Sequence, residues 1–296
     1  LFPYTTLFRS VWFMELGLRY PPTFTQVSTT EEAAGVLRST VVDLVICMPG
    51  NADNDAFDVA RDIKGKFPNI HCVVLTPFSH GITKRMQNED LSIFDYVFCW
   101  LGNTNLILSI IKLIEDKMNL EHDIQEAGVQ MILLVEDSIR FYSSILPNLY
   151  NYILEQSKNF SKEALNRHAA TMRMRGRPKV VLARTYEEAK KLYDKYSDNT
   201  LGVISDARFP LKSAAKAFGN VVDEDVQPKH ATDTFGREKC PDAGLQLFRY
   251  IRKNDSFVPL ILESSESRQP CVPAPGNRPR SRQCPESRLR YSSAPG

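Results

Sequence analysis

The chain has no apolar run near the roughly 18 residues that a membrane-crossing helix needs, and no leader-type segment is visible at its start. Its six cysteines, Cys47, Cys72, Cys99, Cys240, Cys271 and Cys284, contain no CxxC pair. That excludes the usual thiolate metal and dithiol redox spacings. GxxxxGKS/T, GxGxxG, GxSxG and HExxH are all missing, so the commonest phosphate-cradling, dinucleotide, nucleophile-elbow and zinc-protease signatures are absent. The five histidines, at 71, 80, 122, 168 and 230, form no ligand spacing. A formal net charge of only +2 offers no special pull on nucleic acid. What remains is an ordinary globular composition, 43% hydrophobic and 24% charged over 296 residues, with room for two domains. Cys47, Cys72 and Cys99 sit in strand-like runs and read as small buried hydrophobes, as expected in a reducing cytoplasm.

Two stretches carry chemistry. MILLVEDSIR (Met131–Arg140) and LGVISDARFP (Leu201–Pro210) are apolar runs that end abruptly in carboxylates. Short apolar runs bounded by polar residues predict buried parallel strands, and ligands of open α/β sheets collect beyond the carboxyl ends of such strands. Glu136, Asp137 and Asp206 are therefore expected at one sheet edge. Three carboxylates that close repel unless a cation or proton joins them, and a hard divalent ion such as Mg²⁺ suits oxygen donors. A plainer reading makes VEDS a strand followed by a helix whose N-cap is Ser138, its acids favouring the helix N-terminus.

The order of these features resembles the receiver domain of two-component response regulators. VPLILESSES (Val258–Ser267) resembles the fourth strand, and PDAGLQLFRYIRKND (Pro241–Asp255) the helix after the third. The resemblance implies that Asp206 is a phosphoacceptor and that Glu136 and Asp137 hold Mg²⁺. It further implies the backbone carbonyl of Arg208 as a ligand and Ser264 as the hydroxyl that senses the phosphoryl group. No fifth strand, and no Lys to end one, is recognisable.

A weaker copy precedes it. Val41–Asn69, His71–Ser79 and Phe94–Lys117 resemble strand 3 with its helix, strand 4, and strand 5 with the last helix, Asn103 or Thr104 capping that helix. Met48 stands where a phosphoacceptor would be and Cys99 where a Lys would be. A thioether cannot take a phosphoryl group, so this unit reads as a pseudo-receiver kept for packing or docking. Asp53, Asp55 and Asp58 read as solvated turn and N-cap groups. Pro22–Ala33 is expected to give a strand and a capped helix start.

The expected fold class is α/β: two consecutive receiver-like, flavodoxin-like domains with parallel sheet order 2-1-3-4-5, both incomplete. Residues 1–10 resemble a translated sequencing-adapter oligonucleotide. Residues 11–119 form the degenerate unit lacking strand 1, 120–130 the linker, and 131–267 the second unit, lacking strand 5. Residues 268–296, rich in Arg, Pro, Ser and Gln, cannot bury enough apolar area to order, and read as a disordered, non-native tail. The second unit carries two insertions. Between Arg140 and Pro178 lie long helical patterns, with Ser161 as a helix start, Gly176 as a stop signal and Pro178 just beyond. Between Phe209 and Pro241 lies a long aperiodic loop, placed to cover the acidic pocket; its Lys229 and His230 receive no role. The basic run Arg167–Lys179 reads as a solvated helix face and C-terminal turn.

Residues from about Leu18 to Ser267 resemble the N-terminal tandem receiver-like region of a bacterial phosphoenolpyruvate synthase/pyruvate phosphate dikinase-like family. TFTQVSTTEEA, VVLTPFS, DYVFCWLGN, ILLVEDSIRFYSS and MRMRGRPK carry that likeness. It implies an ATP-dependent phosphotransferase parent, of which this chain is a regulatory fragment without the catalytic portion. The implied partners are that downstream portion and a phosphodonor kinase, with no nucleic acid and no membrane, in the cytoplasm. Two alternatives stand beside it: an unphosphorylated structural or interaction module, and a fragment of a stand-alone response regulator.

Overall fold

Short apolar runs become parallel strands throughout the described part of the chain. The computed structural model describes residues 22–48, 56–77, 93–212 and 237–264. They contain seven α-helices, two parallel sheets and a two-stranded antiparallel ribbon, an α/β fold.

In the first half, α1 (Thr30–Ser39) leads to β1 (Leu44–Cys47), α2 (Ala56–Lys66), β2 (His71–Pro77), β3 (Tyr96–Trp100) and α3 (Asn105–Ala127). The strands pair in the order β1-β2-β3, all parallel. Thr29 caps α1, its side chain accepting from the Glu32 amide, while the Glu32 carboxylate accepts from the Ser28 amide at 2.9 Å. The strand expected just before α1 does not form: residues 22–27 are irregular. An extended segment becomes a strand only by pairing its backbone, and no described strand lies beside it. At the start of α3, Asn103 Oδ1 accepts from the Asn105 amide at 2.9 Å, whereas Thr104 makes no side-chain cap bond.

The segment expected as a linker is largely helical, since α3 runs through Leu120 and Ile124 to Ala127. It stops at Gly128, whose φ of +60° suits a residue without Cβ. The second half then runs β4 (Met131–Val135), α4 (Ile139–Lys162), α5 (Arg167–Arg175), β5 (Lys179–Ala183), α6 (Tyr186–Tyr196) and β6 (Thr200–Asp206). The ribbon strands β7 (Phe209–Pro210) and β8 (Lys239–Cys240), then α7 (Ala243–Asn254) and β9 (Leu260–Glu263), complete it. The sheet order is β5-β4-β6-β9, parallel throughout. Ser161 does not start a helix. It lies in the last turn of α4, and Asn166 caps α5 instead by accepting from the Ala169 amide at 2.8 Å.

Helix α4 ties the halves together. Tyr142, Leu146, Tyr150 and Ile153 recur at helical spacing, and all enter a core shared with Phe98, Cys72, Leu113 and Leu182. The same helix caps the outer edge of β3, where backbone groups would otherwise lack partners. Ser143 Oγ accepts from the Cys99 amide at 2.9 Å, and the Tyr142 hydroxyl donates to the Val97 carbonyl.

A buried ion network adds a second tie. Asp116, fully buried on α3, accepts two bonds from Arg177 (2.6 and 3.1 Å), one from the Tyr150 hydroxyl (3.0 Å) and one from the Val180 amide (2.9 Å). Lys179 reaches Asp123 at 2.7 Å. Burial works against the Arg177 charge, yet Asp116 more than offsets it and holds the guanidinium firmly protonated. Arg177 and Lys179 are therefore not a solvated face; both are buried.

Candidate functional site

The register of the second sheet decides where the acids meet. Val135 of β4 pairs with Ser205 of β6, and Asp206 pairs with Glu263 of β9. Glu136 and Asp137, directly after β4, thus emerge level with Asp206 at the same carboxyl edge. One oxygen from each of the three carboxylates can be chosen so that all lie within 4.8 Å of one another. Glu136 and Asp137 are buried and Asp206 half-buried.

The sheet fixes each acid separately. The Glu136 amide donates to the Ala183 carbonyl at 3.0 Å, extending the β4–β5 ladder by one residue. Its Oε1 accepts from the Ser138 amide at 2.9 Å. Ser138 does occupy the N-cap of α4, but its side chain makes no cap bond. The Glu136 carboxylate holds the amide of that N-cap residue itself. Asp206 Oδ1 accepts from the Ala207 amide at 2.7 Å.

Burial pushes the Glu136 carboxyl up to about 8, with Asp206 and Asp137 adding to the shift and the Ser138 amide and Lys239 opposing it. Asp206 is also raised, chiefly by burial, against the pull of the Ala207 amide, Lys239 and the Arg208 backbone. Charge of one sign has been gathered where water is scarce, which favours uptake of a proton or a cation.

Lys239 already answers part of this. Its Nζ lies 2.7 Å from Asp137 Oδ2. It comes from β8, which pairs antiparallel with β7 (Phe209↔Cys240, Pro210↔Lys239) immediately beyond Asp206. The two ends of the long insertion are thereby clipped together, and one of them delivers a cation to the pocket. Lys229 and His230 lie outside the described residues. Nothing in linear spacing marks Lys239: it is one lysine among many, two positions before Pro241.

The remaining expected residues fall around this cluster. Ser264 is exposed and follows Glu263, the register partner of Asp206; the Glu263 carbonyl accepts from the Ala207 amide at 2.9 Å. Arg208 sits exposed in the turn between β6 and β7, its backbone amide directed at the Asp206 carboxylate. Behind the site, α7 begins so close to β6 that a Cβ on Gly244 would sit 2.4 Å from the Asp206 carbonyl oxygen and 2.7 Å from Leu262 Cδ1. Only glycine fits there.

Among the described residues, the corresponding edge of the first sheet carries no such acidic cluster. Met48 is partly exposed, and Cys99 is buried with its thiol pushed up to about 11 by burial. Thr76 is buried, and its hydroxyl donates to the Phe98 carbonyl at 3.4 Å. Asp58 is solvated and pairs with Arg61 at 2.7 Å; Asp53 and Asp55 lie outside the described residues.

Among the described residues the cluster offers three carboxylates and no nitrogen or sulfur ligand, a set that suits a hard divalent cation better than a soft one. Among the described residues, no helix is long and apolar enough to cross a membrane. No protein-family model, no curated protein and no solved structure matches the chain.

Proposed function

We propose that the second half is a receiver-type regulatory module in which Asp206 accepts a phosphoryl group. The observation that carries this reading is the convergence of Glu136, Asp137 and Asp206 at one carboxyl edge. The strand order supports it, because β4, β5, β6 and β9 taken as strands 1 to 4 give 2-1-3-4, the flavodoxin-like sequence. Glu136, Asp137 and Asp206, with the Arg208 carbonyl, would hold Mg²⁺. When bound, that ion would offset the repulsion among the carboxylates and the phosphoryl oxygens.

Asp206 supplies the nucleophile. One of its carboxylate oxygens bonds to phosphorus, the bond from phosphorus to the donor's leaving atom breaks, and the donor departs with that electron pair. The product is an acyl phosphate at the end of β6, and Ser264, which follows the neighbouring strand end at Glu263, would sense it. Lys239, whose charge already acts on Asp206, would follow the new charge and shift its pairing from Asp137. The added charge would change how the β7–β8 ribbon and β9 present themselves to a partner. In this reading the partner is the catalytic portion of an ATP-dependent phosphotransferase parent, the donor is a kinase or small phosphodonor, and the setting is cytoplasmic.

The test is incubation of the chain with Mg²⁺ and acetyl phosphate, followed by intact-mass measurement. One added phosphoryl group, absent from Asp206→Asn and absent when Mg²⁺ is chelated, is the expected result. Absence of the adduct in folded wild-type protein contradicts the reading.

A second reading has its own support. The Lys239–Asp137 pair already places a cation in the pocket, and α4 and Asp116 tie the halves into a shared core. Both suit an interaction module that is never phosphorylated. Under that reading Asp206→Asn leaves partner binding unchanged.

A further inference from the structure

Away from the acidic cluster, a polar cavity of about 260 Å³ is lined by Lys64, Ile93, Phe94, Asp95, Lys117 and Arg184. The three cations come from different elements: Lys64 from α2, Lys117 from α3, and Arg184 from the residue after β5. The cavity therefore lies where the two halves meet. Among the described residues, its lining carries three formal positive charges against one negative.

The single acid acts as an anchor rather than a counter-charge for the whole set. Asp95 Oδ1 accepts from Lys117 Nζ at 2.9 Å and faces His71 Nδ1 at 3.0 Å. Its Oδ2 accepts from the Cys72 amide at 2.9 Å and lies 3.5 Å from Lys64 Nζ. Burial opposes its ionisation, but the bonds from Lys117, the Cys72 amide and His71 win and hold it well below the usual carboxylate range. One carboxylate shared among so many donors fixes both lysines in place without exhausting their hydrogens. Arg184 and Lys117 also flank the buried Tyr96 ring, at 5.7 and 5.3 Å from its centroid, which orients both cations. The Glu188 carboxylate accepts from the Arg184 backbone amide at 2.8 Å.

Two lysines and a guanidinium held around one space match a tetrahedral dianion. The ammonium groups serve as point charges and the guanidinium as a planar fork. We infer that this cavity binds a phosphate group, as inorganic phosphate or as a small phosphate monoester. At ~30 Å³ per water, the volume leaves space for the anion and a short substituent. The binding would bridge the two halves, because Lys64, Asp95 and Lys117 belong to one and Arg184 to the other. It is independent of any phosphoryl transfer to Asp206.

The test is isothermal titration calorimetry of the full chain with inorganic phosphate and with methyl phosphate, at constant ionic strength set with sodium chloride. Saturable binding of one anion per chain is expected, weakened at least tenfold in Arg184→Gln and in Lys117→Gln and unchanged in Asp206→Asn. Equal affinities identify the free ion as sufficient, and tighter ester binding identifies a monoester; either result supports the site. Lys117 is exposed on the helix surface, so its variant is expected to retain the fold and keep the test decisive. Lack of saturable binding of both probes, or undiminished binding in the folded Lys117→Gln protein, overturns the inference.

Discussion

The Lys239 ammonium lies 2.7 Å from the Asp137 carboxylate, although the two residues come from opposite ends of the second half. Asp137 is fully buried and Lys239 mostly so. Removing one partner of such a pair leaves the other charge poorly compensated. Lys239→Met is expected to lower metal-free stability by about 1–3 kcal/mol, measured by urea unfolding. The same variant should bind Mg²⁺ severalfold more tightly, because a competing cation has gone. Unchanged Mg²⁺ affinity would mean that Lys239 and the metal do not compete.

Glu136 gives a pH signature. Its carboxyl is raised from an ordinary 4.5 to about 8, so between those values the folded chain holds a proton that the unfolded chain has released. Folding is therefore favoured on the acid side. The stabilisation is complete below about 4.5 and lost as pH rises through about 8. Urea unfolding in chelator across that range should show stability falling with pH. Glu136→Gln should flatten this slope and stabilise the metal-free chain at alkaline pH by ~2–4 kcal/mol.

Gly244 sets how closely α7 approaches β6. With Asp206 O only 2.4 Å from a would-be Cβ, Gly244→Ala must push the helix away or move the strand end. A loss of about 1–3 kcal/mol is expected, together with slower phosphoryl uptake at Asp206. Thermal unfolding and the time course of the adduct check the two halves of that statement.

The acidic site was legible in sequence because its signal is local. MILLV and LGVIS are apolar strands, each followed at once by carboxylate, and a parallel register brings such ends together. Lys239 was not legible because its contact depends on the pairing of β7 with β8 across an insertion, which leaves no periodic trace. The helical continuation through Leu120 and Ile124 did have a signal, the apolar spacing carried on from Leu113 and ended by Gly128. Asp116 was hidden for a different reason: an acid inside an apolar helix reads as surface until Arg177 and Tyr150 arrive from distant segments.

That network makes its own prediction. Asp116→Ala leaves Arg177 buried without its bidentate partner and should cost about 3–5 kcal/mol. Replacing Arg177 by Met in the same protein should recover part of the loss, since two buried apolar groups avoid the stranded charge. Equal stability of the single and double variants, read by urea unfolding, would mean that the pair is not coupled.

Calorimetric titration with Mg²⁺ decides whether Glu136, Asp137 and Asp206 form one cation pocket. Saturable binding of one ion per chain is expected, lost in Asp137→Asn and strongly weakened in Asp206→Asn. No binding to the folded wild-type chain, or equal binding by wild type and Asp137→Asn, would contradict it.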